Sequence, residues 1–371
     1  MASEEIRSKR TGLNAAQKEE RERKAKEKKI KKKILLILTL ISLILGAAVI
    51  LLLVFLIRGR IAAGDLETEA SASSLDIVYA GDKTDVSALT TSEGETAGET
   101  SGDTDQLGPI PTISLDGIIS QHALMLRLAD GSVVADKDSA AQIYPASLTK
   151  MMTVYLAVLN IPNLDEMYTV TNEDIDPGYE QGAAMAGFLG GETVPIRDLL
   201  YGTMLPSGAE ACTALANIVA GSEADFVTMM NAKAQELGMN TTNFVNCTGL
   251  FDVNHVSSCA DLAILLQTAL QNSDFRSVFT THVYTCTPTS QHATGLTLNS
   301  TLFSNLSSST LDNGTTIEGG KTGYTDEAGR CLASMAKSQN GTEYILVTTG
   351  AFSDGSAPHI SDAITIYSQL P

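Results

Sequence analysis

Patterns that hold metals are absent from this sequence. Its five histidines are scattered and none falls in an HExxH, so a zinc enzyme is not expected. The five cysteines, at 212, 247, 259, 286 and 331, have no CxxC spacing that would suggest a metal or redox motif. Their odd number leaves at least one unpaired. Most read as small buried apolar residues, and a Cys247–Cys259 disulfide is the alternative. Basic residues are also scarce after position 60, with 10 Lys/Arg against 37 Asp/Glu in residues 61–371. So acidic a surface repels polyanions, which excludes nucleic acid as a partner. No internal repeat is visible.

The basic residues are concentrated at the start. Residues 1–33 hold 13 Lys/Arg and 6 Asp/Glu, and are followed by "ILLILTLISLILGAAVILLLVFLI", residues 34–57, with no charge. At about 1.5 Å per helical residue this run can cross a hydrocarbon core of about 30 Å. It is longer than the apolar region of a cleaved signal peptide, and no small-x-small cleavage site follows closely. It therefore predicts a transmembrane anchor, with residues 1–33 as a basic cytoplasmic tail and the remainder outside. The tail reads as a topology and lipid-headgroup signal. Residues 58–113, rich in Ser, Thr, Gly and Glu, lack apolar periodicity and predict a disordered acidic linker.

Residues 114–371 predict the folded unit. "ALMLRLADGSVVADKD" sets Asp130-Gly131 between two apolar runs, a hairpin signal. From Ser147 to about Leu270, apolar residues recur at three- and four-residue spacing, as in "SLTKMMTVYLAVL" and "SCADLAILLQTAL". β-type runs return in "CLASMAK" and "EYILVTTGAF", and "APHISDAITIYSQL" closes the chain as a helix. Strands at both ends bracketing a helical middle predict an α/β (α+β) domain. Its antiparallel sheet is flanked by helices and carries an inserted helical subdomain.

"PASLTK" places Ser147 and Lys150 at the start of a helical run. One reading is a capping Ser with a solvated Lys. The other is chemical. Residues three apart share a helix face, so the amine can reach the hydroxyl, and the helix N-terminus stabilises charge developing on its oxygen. A Lys whose pKa is lowered by burial or by a second cation can then act as general base. "IEGGKTGYTDEAG" offers that cation in Lys321, with Thr322 beside it and Gly323 on an edge strand that lets another backbone approach. Lys321 and Thr322 could together hold a substrate carboxylate, or mark a glycine-rich turn. Ser207, in a Pro-Ser-Gly turn before a helix, reads as a cap or a proton relay.

The order Ser147-x-x-Lys150, Ser207-Gly208 about 60 residues later and Lys321-Thr322-Gly323 about 115 beyond that resembles the serine D-alanyl-D-alanine carboxypeptidases. These are the low-molecular-mass penicillin-binding proteins. "RDLLYGTMLPSGAEA", "TNFVNCTGL" and "GGKTGYTDEAGRCLASMAK" carry the likeness across residues 114–353. The resemblance implies a penicillin-binding/β-lactamase-like fold with no cofactor and no metal. It implies Ser147 as nucleophile, Lys150 as base and Ser207 as proton relay. Lys321, Thr322, Gly323 and Tyr324 would bind substrate, with the Ser147 and Tyr324 amides as oxyanion hole. The implied partners are the D-Ala-D-Ala end of a peptidoglycan stem peptide and β-lactams.

The chain departs from that family at one position. The second motif is normally Ser-x-Asn, and here Ala209 stands at its third position, followed by Glu210. Ala209 cannot supply the amide, and Glu210 is either a partial substitute or a first-turn acid favoured by the helix dipole. The substitution keeps open a catalytically weakened homologue that acts as an envelope binding protein. A β-lactamase would need a deacylating base, which no segment clearly supplies. With the chain ending at "YSQLP" and an N-terminal anchor, no separate C-terminal domain is expected.

Overall fold

The computed structural model describes residues 108–353 and 357–371. The basic tail, the apolar run and the linker up to residue 107 lie outside the described residues, and the predicted anchor with them. Among the described residues no helix is long and apolar enough to cross a membrane.

The chain enters through β1 (His122–Arg127) and β2 (Val133–Lys137), the hairpin signalled by Asp130-Gly131. Gly131 takes φ +70°, a conformation open to glycine at little steric cost. A 3-10 turn (Ala146–Thr149) leads into α1 (Lys150–Asn160), followed by the short β3 (Met167–Thr169) and α2 (Asn172–Glu180). Then come β4 (Thr193–Pro195), α3 (Ile196–Met204), α4 (Ala209–Ala220) and α5 (Glu223–Glu236). Next are α6 (Cys259–Ala269), α7 (Ser273–Phe279), β5 (Val283–Thr285) and β6 (Thr297–Asn299). The chain closes with β7 (Thr316–Thr325), β8 (Gly329–Lys337), β9 (Glu343–Ala351) and α8 (Pro358–Tyr367).

The main sheet has the order β2-β1-β9-β8-β7, antiparallel at every pairing. The first and last strands of the folded unit thus meet at β1–β9, as the bracketed pattern predicts. Both faces of the sheet are covered, so its central strands read as apolar runs. On β1, Leu124 and Leu126 join the core under the helical subdomain, while Ala123 and Met125 join the core under α8. On β9, Ile345 and Val347 face the first core, and Tyr344 and Leu346 face the second. This is the two-residue alternation of a strand buried on both sides.

Helix α1 runs through the larger core, with every residue from Lys150 to Ala157 buried. Burying a large aliphatic side chain contributes about 1.5–3 kcal/mol, so Met151, Met152, Val154 and Leu156 hold this helix in place. Polar caps set neighbouring helix starts. Ser222 and Ser258 accept the amides of Asp225 and Asp261, and Thr171 forms a capping box with Asp174. All five cysteines are buried and free. The Cys247–Cys259 disulfide is therefore corrected: the Cys212 thiol donates to the Cys247 carbonyl (2.8 Å), whereas Cys259 Sγ lies 3.3 Å from Thr349 Oγ1.

Candidate active site

Ser147 is not the cap of an α-helix. It sits inside the 3-10 turn, makes no side-chain cap bond, and α1 begins three residues later at Lys150. Ala146 before it takes φ +46°, a left-handed conformation that costs a non-glycine residue about 1–3 kcal/mol. Two glycines close in on this turn. A Cβ on Gly323 would meet the Ser147 nitrogen at 3.0 Å, and one on Gly249 would run into the Ala146 carbonyl. Only glycine at these positions lets β7 and the loop after α5 approach so closely.

Lys150 reaches Ser147 as the spacing predicts. Its Nζ lies 3.3 Å from Ser147 Oγ and donates to the Thr248 carbonyl at 2.6 Å. Burial pushes its pKa below the ordinary 10.5, opposed by nearby negative groups that include Glu210. That shift favours the neutral amine a general base needs.

Strand β7 forms the sheet edge on the other side of the cleft, and its alternation divides the Lys-Thr-Gly segment. Lys321 pairs with Ala333 of the helical-side core, and Thr322 pairs with Leu332 of the α8-side core. Lys321 is fully buried and donates to the Thr322 carbonyl at 2.7 Å. Desolvation, and then the proximity of Lys150, hold its pKa well below 10.5. Thr322 Oγ1 lies 2.6 Å from Thr301 Oγ1, a partner that only the fold supplies. Tyr324 is exposed, with the Arg330 guanidinium 5.2 Å from its ring centroid.

Ser207 completes the trio, at φ +69° in the turn before α4. Its hydroxyl is buried and makes no hydrogen bond to another protein group. Ala209 is fully buried, and a Cβ built on Gly178 of α2 would lie 2.8 Å from its own Cβ. Glu210 turns to the backbone, where Oε1 accepts from the amides of Gly187 (2.7 Å) and Phe188 (3.2 Å). It thus ties down the segment beside the cleft and gives no Asn-like amide.

Ser147, Ser207, Thr322, Gly323 and Tyr324 share one cleft of about 490 Å³, also lined by Thr301, Asn305, Arg330 and His359. Lys150 and Lys321 are buried outside its lining. Thr301 and His359 lay in no motif, Arg330 lay in one without a role, and none was expected here from the sequence. They come from the segment after β6, from β8 and from α8, which only tertiary packing unites.

A serine hydroxyl within reach of a desolvated lysine, beside a Lys-Thr-Gly edge strand of an antiparallel sheet, is the arrangement the resemblance to the penicillin-binding proteins implies. Residues 111–353 match the D-alanyl-D-alanine carboxypeptidase family, peptidase S11, and the chain belongs to it. D-alanyl-D-alanine carboxypeptidase DacF of Bacillus subtilis is 32% identical over 60% of this chain and 55% of its own length. DacA of Escherichia coli K12, also named a D-alanyl-D-alanine carboxypeptidase, is 30% identical over 59% and 53%. This chain therefore spans about half the length of the curated relatives it matches. The crystal structure of the Streptomyces K15 DD-transpeptidase matches with a TM-score of 0.61 at 28% identity, covering 69% of this chain and 98% of that one. The expected penicillin-binding-type fold is thereby supported.

Proposed function

We propose that this chain is a serine D-Ala-D-Ala carboxypeptidase that trims peptidoglycan stem pentapeptides through an acyl-enzyme on Ser147. The observation that carries the reading is the buried Lys150 amine 3.3 Å from Ser147 Oγ, its pKa lowered by desolvation. Neutral Lys150 takes the hydroxyl proton as Ser147 attacks the carbonyl of the penultimate D-Ala. The Ser147 and Tyr324 amides stabilise the oxyanion, whose charge appears only in the transition state. The unpartnered Ser207 hydroxyl relays a proton to the leaving amine, terminal D-Ala departs, and water hydrolyses the ester.

The substrate's terminal carboxylate lies along the Lys321–Tyr324 edge. Thr322 provides the hydroxyl, and the buried Lys321 holds the Thr322 carbonyl at 2.7 Å and so fixes that strand segment. β-Lactams, which mimic the dipeptide end, acylate the same serine. Residues 34–57 anchor the chain in the cytoplasmic membrane, with the tail inside, the acidic stretch up to residue 107 as tether and the catalytic unit outside; Ile113, read from the sequence as linker, is instead buried in the core of the folded unit.

The test is to incubate the full-length chain with a fluorescent penicillin, and separately with a D-Ala-D-Ala peptide while D-Ala release is followed. Stable labelling that disappears in Ser147→Ala, together with D-Ala release, supports the carboxypeptidase. Fast penicillin turnover points to a β-lactamase. An unlabelled Ser147 refutes both enzyme readings and leaves the envelope binding protein that the buried, amide-less Ala209 suggests.

A further inference from the structure

A buried hydrogen-bond relay ends on the peptide unit that carries the Ser147 amide. Val245 N–H donates to His255 Nδ1 at 3.1 Å, so that nitrogen bears no proton and the neutral ring carries its proton on Nε2. His255 Nε2 lies 2.7 Å from Thr149 Oγ1, and Thr149 Oγ1 donates to the Ala146 carbonyl at 2.8 Å. The hydroxyl has one proton, which goes to the carbonyl, so its oxygen accepts from the histidine. The direction of every bond in the chain is therefore determined. His255 and Thr149 are both buried, at 2% and 0% exposure, so the relay runs in a low-dielectric interior away from solvent.

The Ala146 carbonyl and the Ser147 N–H belong to one planar trans peptide and point in opposite directions. Clamping the carbonyl from behind therefore sets the direction of the amide in front. Ala146 holds a left-handed φ of +46°, so this peptide needs such a clamp. Gly249 walls the carbonyl side and Gly323 the nitrogen side, which limits how far the plane can tilt.

We propose that His255 and Thr149 are positioning residues for acyl transfer: their relay locks the Ala146–Ser147 peptide and aims the Ser147 amide at the developing oxyanion. The inference rests on the acyl-transfer reading above and adds two residues to it. Neither touches substrate. The neutral ring that the relay requires agrees with the low pKa of His255, held near about 4 by burial.

Stopped-flow labelling of the full-length chain with a fluorescent penicillin separates the pre-covalent Kd from the acylation rate. Losing one oxyanion donor costs about 10²–10³ in rate, so Thr149→Val, which misaims one, should lower acylation by about ten- to a hundredfold with Kd unchanged. Thr149→Ser, which keeps the hydroxyl, should restore most of the rate. His255→Leu should match Thr149→Val, and the double variant should fall no further, because both act through one path. Should the valine not fold, Thr149→Ala makes the same comparison with less demand on packing.

Acylation at the wild-type rate in folded Thr149→Val, Thr149→Ala or His255→Leu overturns the relay. So does a Thr149→Ser chain as slow as the variants without a hydroxyl. A wild-type chain that penicillin does not label overturns the functional reading, and the relay falls with it.

Discussion

Lys150 Nζ lies 2.6 Å from the Thr248 carbonyl oxygen, closer than its 3.3 Å approach to Ser147 Oγ. The loop that carries Thr248 is itself braced, since Asn246 Oδ1 accepts from Gly249 N at 2.7 Å and Cys247 N donates to Glu223 at 3.0 Å. A buried amine must be hydrogen-bonded to be tolerated. This carbonyl does so and holds the nitrogen beside the serine.

Acylation of Ser147 should increase with pH across a range lying below 10.5, because burial lowers the Lys150 pKa and the reactive form is the neutral amine. Lys150→Met should lower the rate by about 10²–10⁴, the usual contribution of a positioned base. The check is a pH profile of penicillin acylation. A midpoint at the ordinary lysine value would count against the assignment.

Gly323→Ala should slow acylation by about tenfold or more while costing about 1–3 kcal/mol of stability, the range for inserting a methyl into close packing. Its new Cβ meets the Ser147 nitrogen at 3.0 Å and Ala146 Cβ at 3.2 Å, so the serine turn must move. Labelling kinetics and denaturant melts measured together separate the two effects. A stability loss with no change in rate would show that the turn tolerates displacement.

Ala209→Asn should not restore a standard second motif. Ala209 is fully buried with its Cβ close to Gly178, so the larger amide overpacks the α2–α4 contact at about 1–3 kcal/mol. The expected outcome is a lower Tm and no gain in D-Ala release. A faster, equally stable variant would mean that α2 yields readily.

Acidification should destabilise the fold between about pH 6.5 and pH 4. Burial pushes His255 and His359 down from 6.5 to about 4. Within that window the unfolded chain binds more protons than the folded one, so stability is full above 6.5 and is lost as pH falls toward 4. Thermal melts across the window test this, and His359→Phe should remove a share of the slope. A flat profile would require that neither ring is buried neutral.

Much of this molecule is legible along the chain because the causes are local. The Asp130-Gly131 turn, the serine caps before α5 and α6, and three- to four-residue apolar spacing each act within a few residues. The Ser147–Lys150 pair is readable for the same reason: three residues of separation bring the two side chains together in any helical turn. Short α2 and α7 were less apparent, since Pro177 and Gly178 interrupt one pattern and the other has only seven residues.

What the sequence alone determined was that strands at the two ends bracket a helical middle, and that the Ser147–Lys150 pair and the Lys-Thr-Gly segment were candidates for one site. Tertiary structure decided how they work together. It moved Ser147 from a helix cap into a strained 3-10 turn and turned Lys321 inward, fully buried. It brought His255, 106 residues away, against Thr149. It also directed Glu210 to the amides of Gly187 and Phe188. The reason is physical: desolvation, close backbone approach and the direction of a buried hydrogen bond depend on what packs around a residue, and those neighbours lie far away in the sequence.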